Sequence, residues 1–326
     1  MPWNGGVSKT AVLQLLYGKR KMDEMKDFAK AILFGITGAF FFAFNFILIR
    51  SMNLEGGYYL WTAVLRYFFT LPLMALLLIK GNGFRKVFRS ISQKPVKWFV
   101  WSTVGFGLFY APLSAAAIYG ESWFTAAVWQ FTIVAGVLLT PLFGKKIPVK
   151  NLLCSCVIVA GILVMQASKI RMGVQADWPM LILTMGIAAF SYPLGNRKMM
   201  QVTEGEGLTT VQRVFGMTLC SMPFWGICAV WSYRQAGLPT ASQCFQSFLI
   251  ALLAGVVATV LFFAATDLMR HDPKKLAVIE ATQSGEVIFT VLMGVLILKD
   301  SMPDGMALAG IGIIVAGMVL NSMMAE

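Results

Sequence analysis

Two stretches of the chain carry the same pattern of residues. Residues 31–70 read AILFGITGAFFFAFNFILIRSMNLEGGYYLWTAVLRYFFT, and residues 178–217 read WPMLILTMGIAAFSYPLGNRKMMQVTEGEGLTTVQRVFGM. A shift of 147 positions superimposes one threonine and two arginines without a gap: Thr37 on Thr184, Arg50 on Arg197 and Arg66 on Arg213. A shift of 156 positions places the Val-Ala-Gly run that ends at Gly161 on the run that ends at Gly317. The chain is therefore predicted to contain an internal repeat.

The composition is that of a membrane protein. Hydrophobic residues make up 58% of the chain and charged residues only 13%, and the apolar residues occur in long blocks. About 20 apolar residues in a helix cross the hydrocarbon core of a bilayer. Ten segments fit this length: 31–49, 58–79, 98–119, 122–143, 151–168, 178–196, 208–231, 245–268, 276–298 and 305–323.

Each copy of the repeat holds five predicted spans, which is an odd number, so the second copy must enter the membrane from the opposite face. The sequence therefore predicts an all-α integral membrane protein of ten transmembrane helices in two inverted five-helix repeats. Residues 1–30 are predicted to form a cytosolic N-terminal arm, residues 31–168 the first repeat and residues 178–323 the second.

The basic residues predict the orientation, because Lys and Arg are retained on the cytoplasmic side. With both termini in the cytoplasm, 20 basic residues lie in cytoplasmic segments, 5 lie outside and 2 lie within spans. The net charge of +12 then reflects topology and contact with an anionic inner leaflet. Since no folded basic surface is predicted, a nucleic-acid partner is not expected.

Four ionisable residues lie within the predicted spans, where a charge is costly and usually faces a cavity or a partner: Arg66, Arg213, Glu280 and Glu286. Glu286 is about 15 Å into span 9 at 1.5 Å per residue, near the midplane of the membrane. It is the candidate proton carrier, and the alternatives are a structural ion pair or a protonated acid bonded to another helix. Glu280 is only one turn inside the cytoplasmic end and is expected to reach the interface.

Polar residues accompany Glu286 at helical spacing. Thr282 and Thr290 lie on the same stripe as Glu286, and Gln283 lies beside it, in a helix that is otherwise made of aliphatic and Phe side chains. This stripe is expected to face the interior of the helix bundle.

The two arginines occupy equivalent positions in the two repeats, so a pseudo-symmetric molecule would place Arg66 and Arg213 at mirrored depths. Each could bind an anionic group of a substrate, balance Glu286, or hold a helix through backbone carbonyls as part of a gate. The sequence leaves these three roles open.

Other polar and aromatic side chains within spans complete the predicted substrate cavity: Asn45, Tyr110, Trp129, Gln130, Tyr192 and Asn196. Trp129 adjoins Gln130, which is the repeat counterpart of Glu286, so these side chains could form a wall for a flat or cationic molecule. Trp98, Trp123 and Trp231 lie near span ends and are expected to belong to interface belts.

Several runs resemble a known family: FGLFYAP (106–112), WQFT (129–132), YPLGNRKMM (192–200), AATD (264–267) and EATQ (280–283). With the ten spans, these runs resemble the drug/metabolite transporter superfamily in its EamA-type branch, and more narrowly the multidrug resistance efflux transporters. The resemblance implies the inverted-repeat fold and export of small molecules. The small four-helix exporters of that superfamily carry an essential glutamate in their first helix, whereas span 1 here has no acid and offers Asn45.

The sequence thus predicts a secondary active transporter that exports drugs or metabolites by alternating access across the bacterial cytoplasmic membrane, coupled to protons. Its expected partners are a small-molecule substrate, membrane lipid and a second copy of the chain in a homodimer. The alternative is a translocator of lipid head groups or lipid-linked precursors. Neither an enzyme nor a cofactor is expected, because the single histidine, His271, lies in a loop, and no Cys/His metal spacing occurs.

The orientation can be tested by single-cysteine labelling of intact cells. A membrane-impermeant reagent added outside is expected to miss a cysteine at Ser90, in the segment 80–97, and to reach one at Ser242. Labelling at position 90 would overturn the orientation.

Overall fold

The computed structural model describes residues 9–79, 83–144, 146–171, 177–269 and 271–324. These residues form eleven helices in chain order: α1 (Lys9–Leu54), α2 (Tyr59–Leu78), α3 (Gly83–Gln93), α4 (Pro95–Ala116), α5 (Ser122–Leu138), α6 (Val149–Arg171), α7 (Trp178–Val202), α8 (Thr210–Ala236), α9 (Ala241–Met269), α10 (Pro273–Ala281 continued by Gly285–Ile297) and α11 (Gly305–Met323). The described chain contains no strand.

The predicted spans coincide with ten of these helices. Eight are long and apolar enough to cross a membrane, which confirms an all-helical, multi-pass protein. The other two are α5, which is a shorter apolar helix, and α7, of 25 residues. The total of ten spans and their inverted arrangement stay predictions.

Two features differ from the expected boundaries. Helix α1 is one continuous helix of 46 residues that joins the predicted arm to span 1, and its apolar part, Met25–Leu54, begins before residue 31. Residues 1–8 of the expected arm lie outside the described chain. The segment 80–97 also contains α3, which is short and strongly amphipathic. Eleven residues are too few to span the membrane, which is why a search for long apolar blocks missed α3.

The helix ends follow from local chemistry. Helix α8 begins at a capping box, in which the Thr209 hydroxyl accepts from the Gln212 amide and the Gln212 side chain accepts from the Thr209 amide. It ends at Gly237, whose φ of 71° suits a residue without a side chain. Asp304 caps α11 by accepting from the backbone N–H of Ala307 at 2.7 Å.

Four helices are irregular at specific positions. Helices α4 and α9 contain π-helical segments at Thr103–Gly107 and Ala251–Ala258. Helix α5 is interrupted at Gln130, and α10 contains a 3₁₀ turn at Thr282–Ser284. The helical assignment continues through three prolines, Pro112 in α4, Pro193 in α7 and Pro223 in α8, since tertiary contacts can offset the hydrogen bond that a proline lacks.

The Val-Ala-Gly runs lie where two helices of the same chain pack together. Helices α6 and α11 pack together so closely that a Cβ on Gly161 would lie 2.7 Å from the carbonyl oxygen of Gly310. A Cβ on Gly317 would lie 2.7 Å from the side chain of Ile158. Small residues therefore bring the last helices of the two halves into backbone contact.

Large aromatic side chains fill the interior. Trp98, Trp123 and Trp225 are no more than 1% exposed. The expectation of an interface belt was therefore wrong for Trp98 and Trp123, whose indole N–H groups donate to Ser90 and to the Ser301 carbonyl. Trp231 is 55% exposed, as an interface residue would be.

The fold changes the design of the labelling experiment. Ser90 is buried under Trp98, so a cysteine there would stay unlabelled in either orientation. Ser92 lies on the same helix as Ser90 and is exposed. Ser242 is exposed at the opposite end of the bundle. With both termini inside, an impermeant thiol reagent should label Ser242→Cys in sealed cells and Ser92→Cys only after permeabilisation. The reverse pattern would contradict the orientation.

Candidate functional site

Three predicted site residues from three helices meet in one contact. Asn45 lies in α1, Arg66 in α2 and Tyr110 in α4. The Oδ1 atom of Asn45 accepts a hydrogen bond from Arg66 Nη1 at 3.0 Å and another from the Tyr110 hydroxyl at 2.7 Å. The Arg66 guanidinium also lies over the Tyr110 ring, 3.8 Å from its centroid. Arg66 is therefore held by a neutral amide and an aromatic face.

Arg66 keeps its charge available for another ligand. No carboxylate of the described residues lies within 4 Å of it; the ion pairs found there join other residues. Arg66 lies about 10 Å along α2 from the end of that helix at Tyr59. A charge on a membrane-spanning helix needs a polar surrounding, and the partly exposed Arg66 finds part of it in Asn45 and Tyr110.

A layer of aromatic rings supports this arginine. Tyr67 stacks on Trp225 of α8 with ring centroids 4.6 Å apart, and its ring meets that of Tyr110 edge-on at 5.7 Å. Tyr110 is fully buried, and Tyr67 is only 4% exposed. The position of Arg66 is thus fixed by side chains that have no room to move.

A second group of rings lies beside the first. The Phe109 ring packs against Tyr192 of α7 at 4.8 Å and against Trp129 of α5 at 5.1 Å, and the last two rings meet at 5.8 Å. Tyr192 nevertheless remains 40% exposed. Its ring therefore forms part of a surface that a flat molecule could contact.

Glu286 lies where α10 resumes after its 3₁₀ turn. Its side chain is partly buried and lies near that of Gln130 on α5, whose amide N–H donates to the Ala126 carbonyl of its own helix at 3.2 Å. The backbone carbonyl of Glu286 accepts from the Thr290 hydroxyl at 2.7 Å. Gln130 and Glu286, which the repeat places at equivalent positions, are therefore neighbours in the bundle.

The two groups of rings connect the region of the arginine to that of the acid. The Phe109 ring meets the Tyr110 ring at 5.6 Å, and Trp129 adjoins Gln130, which lies near Glu286. We call this group the central cluster: Asn45, Arg66, Tyr110, Trp129, Gln130, Tyr192 and Glu286. It draws on α1, α2, α4, α5, α7 and α10, and all seven side chains were selected from the sequence.

The remaining selected residues lie elsewhere or face their own helices. Arg213 lies in the first turn of α8 and donates to Thr210 of the same helix at 3.5 Å. Asn196 donates to the carbonyl of Tyr192 one turn earlier. Thr282 packs against Gly35 of α1 and donates to the Ile279 carbonyl.

The other two residues lie on α10. Gln283 is partly buried in the 3₁₀ turn, and Glu280 is exposed, as expected for an acid near the cytoplasmic end.

A polar network that the sequence analysis did not select ties the outer ends of the two halves together. Asp300, between α10 and α11, accepts from the backbone N–H and the hydroxyl of Ser122 at 3.0 and 2.6 Å. Arg50 at the end of α1 lies 3.9 Å from the same carboxylate. Lys169, which is 3% exposed, forms an ion pair with Glu121.

The Glu121 carboxyl of this network is ionised at neutral pH. Burial raises the pKa of Glu121, but hydrogen bonds from Lys169 and Ser301 outweigh burial and hold the pKa below its usual 4.5. The stabilisation that the ionised carboxyl provides is therefore complete at neutral pH and is lost only as the pH falls through the lowered pKa.

A second outer contact involves the loops after α1 and α8. Glu55 accepts from the Ser242 hydroxyl at 2.7 Å and from the Gln246 amide at 2.8 Å. The Trp61 indole donates to the carbonyl of Gly237 at 2.9 Å. Both outer contacts therefore join residues of the first half to residues of the second.

Arg197, the repeat counterpart of Arg50, makes a related contact near the other end of the bundle. It donates to the carbonyl of Gly136 in α5 at 2.6 Å, while Arg50 donates to the carbonyl of Ala117 at 3.5 Å. The sequence analysis aligned Arg50 with Arg197, but the alignment alone did not predict a function for either arginine.

The family of multidrug exporters matches most of the chain. A family model named EmrE and described as "Putative multidrug resistance efflux transporter" matches residues 29–326. A Bacillus subtilis (strain 168) protein, "Uncharacterized protein YjlA", is 46% identical over 306 residues, covering 90% of this chain and 94% of that protein. A Shouchella clausii protein, "Uncharacterized 42.1 kDa protein in intracellular alkaline protease 3'region", is 42% identical over 267 residues, covering 79% of this chain and 70% of that protein.

The fold also has a counterpart among solved structures. One, described only as "Crystal structure of protein", superposes with a TM-score of 0.51 at 15% identity, over 90% of this chain and 96% of the other. At this identity, the likeness concerns the fold alone. Because the family model spans nearly the whole sequence, the chain belongs to the family of multidrug resistance efflux transporters, within the drug/metabolite transporter superfamily.

Proposed function

We propose that this protein is a secondary active transporter that exports small organic molecules across the bacterial cytoplasmic membrane by alternating access. The family supports a transporter of small molecules, and the two relatives named above come from bacteria. We further propose the EamA-type architecture of ten spans in two inverted five-helix repeats. The irregular segments of α4 and α9, and those of α5 and α10, support it because they occur in corresponding helices of the two halves.

The central cluster is the proposed substrate site. The observation that carries this proposal is that Arg66 is held by the neutral side chain of Asn45, that Glu286 lies near the neutral side chain of Gln130, and that neither charge forms an ion pair among the described residues. Two opposite charges that do not neutralise each other can each bind a charged group of a ligand. Broken helices near such a site are common in transporters.

The cluster favours a zwitterion with a flat apolar part over a simple amphipathic cation. Arg66 would repel a ligand that carries only positive charge, whereas it would attract a carboxylate or phosphate. Glu286 would bind the cationic group, and the rings of Tyr192 and Trp129 would contact the apolar part. The two charges thus require two groups of opposite sign in one substrate.

Alternating access requires the outer contacts to separate. In the structure, the network around Asp300 and Glu121 and the contact around Glu55 join the two halves at their outer ends. A substrate held in the central cluster could leave outward only after these contacts break. We propose that they form the outer gate.

Arg66 is expected to select the anionic group of the substrate. An aromatic zwitterion should raise the melting temperature of the purified protein more than its methyl ester or its N-acetyl derivative does. Arg66→Lys should lower transport about tenfold to a hundredfold, because an ammonium cannot both bond Asn45 and cover the Tyr110 ring.

Arg213→Lys is the matched control and should keep most of the activity, since Arg213 bonds only within its own helix turn. Full activity of Arg66→Lys, or equal stabilisation by the zwitterion and its ester, would contradict the proposed role of Arg66.

Glu286 is expected to couple proton movement to substrate movement. An unpaired ionised carboxyl at this depth is costly, so it should be protonated in one state and ionised only when a cation compensates it. Glu286→Gln keeps the shape of the side chain and removes its titration. In liposomes, this variant should lose uphill transport driven by a pH gradient and retain part of the substrate exchange.

Glu280→Gln changes an exposed acid of the same helix and should leave uphill transport nearly intact. If Glu286→Gln liposomes accumulate substrate as the wild type does, Glu286 is a structural residue and the coupling group must be sought elsewhere.

The outer gate can be opened by removing one charge. Asp300→Asn weakens the charged hydrogen bonds from Ser122, so a cysteine at Gln283 near the central cluster should react about tenfold faster with an impermeant thiol reagent from outside. The background should lack the five native cysteines. The control is Asp272→Asn, which removes an acid from a loop at the other end of the bundle and should leave the labelling rate of the Gln283 cysteine unchanged. Equal labelling rates in the parent protein, in Asp300→Asn and in Asp272→Asn would refute the outer gate.

A further inference from the structure

Helix α3 presents an unusual surface at the cytoplasmic end of the bundle. Its exposed face carries Arg85, Lys86 and Arg89, and no residue of α3 is acidic. Phe88 lies among these cations and is 51% exposed. An exposed aromatic ring within a cluster of basic residues is typical of a helix that lies in the membrane interface.

The opposite face of α3 anchors it firmly to α8. The Phe84 ring meets the Phe215 ring edge-on at 5.3 Å, and Val87 is fully buried. Gly216 of α8 allows the close approach, since a Cβ there would lie 3.0 Å from the Val87 side chain. The basic face is therefore held at a fixed place and orientation relative to the spans.

A crevice of about 480 Å³ opens beside this helix, between α2, α3, α8 and α9. Its wall is apolar and its rim is polar: Leu77, Leu78, Val211 and Val260 form the wall, while Lys86 and Gln212 lie at the rim. None of the residues that line the crevice is acidic. Its volume lies within the range of small-molecule sites in proteins.

The crevice opens toward the lipid. Leu77 is 45% exposed and Val260 is 40% exposed, so the apolar wall continues into the lipid-facing surface of the spans. Leu78 ends α2 and Thr210 begins α8, which places the rim at the level of the lipid head groups on the cytoplasmic side. In the described chain, no carboxylate forms an ion pair with Lys86.

We propose that this crevice binds one anionic phospholipid of the cytoplasmic leaflet. The phosphate of the head group binds Lys86, with Arg85 and Arg89 nearby, and an acyl chain lies along Leu77 and Val260. A free anion would bind the basic side chains but would make no contact with the apolar wall of the crevice. A zwitterionic lipid would cover the wall but gain less from the three positive charges. The bound lipid would connect α3 to α2, α8 and α9, outside the proposed substrate site.

The experiment uses the full chain in nanodiscs that contain equal amounts of phosphatidylglycerol and phosphatidylcholine. The protein is then extracted from the nanodiscs, and native mass spectrometry counts the lipids that remain bound to it. The wild type should retain phosphatidylglycerol in preference, and Lys86→Glu should reduce that preference about tenfold, because the ligand site loses one positive charge and gains a negative one. Val260→Trp keeps the charge but fills the crevice, so it should lower retention of both lipids.

Lys97→Glu is the matched control, because Lys97 is an exposed basic residue at the start of α4, outside the crevice. It should retain the wild-type preference, and melting curves without added lipid should show that every variant is folded. The proposal fails if both lipids are retained equally by the wild type or if Lys97→Glu acts as strongly as Lys86→Glu. It also fails if inorganic phosphate displaces the bound lipid.

Discussion

Within the hydrocarbon core of a membrane, every backbone N–H and C=O group needs a partner inside the protein, and every charge needs a polar surrounding. This constraint explains why the chain is helical almost throughout and why its irregular segments are few. The break at Gln130 and the turn at Thr282–Ser284 flank the contact between Gln130 and Glu286. Regular helix is interrupted where polar side chains are present to compensate.

The same constraint separates two kinds of charge in this protein. Near the outer ends, Glu121 and Lys169 form a close pair, and Asp300 collects hydrogen bonds from Ser122. These charges compensate one another, and they stabilise contacts between the two halves. In the interior, Arg66 is held by the neutral amide of Asn45, and Glu286 has no ionic partner among the described residues. A charge that lacks an ionic partner in the protein is the kind that can bind a charged ligand.

The two halves use equivalent residues for different contacts. Arg50 and Arg197 both donate to a backbone carbonyl of a neighbouring helix, but only Arg50 has an acid close by, Asp300. Likewise, Arg66 contacts two other helices through Asn45 and Tyr110, whereas Arg213 bonds within its own helix. Such asymmetry is expected of a transporter in one conformation, because its two ends are then in different states.

The sequence by itself determined the helical class and the positions of most helices, and it selected the seven side chains of the proposed central cluster. It could do so because apolar blocks of sufficient length and rare polar residues within them are local properties of a chain. Only the tertiary structure decided that Arg66 bonds Asn45 rather than Glu286, that Trp98 and Trp123 are buried, and that Asp300 and Glu121 join the two halves through Ser122 and Ser301. These outcomes depend on which helices become neighbours, and the spacing of residues along one helix carries no information about the side chains of another.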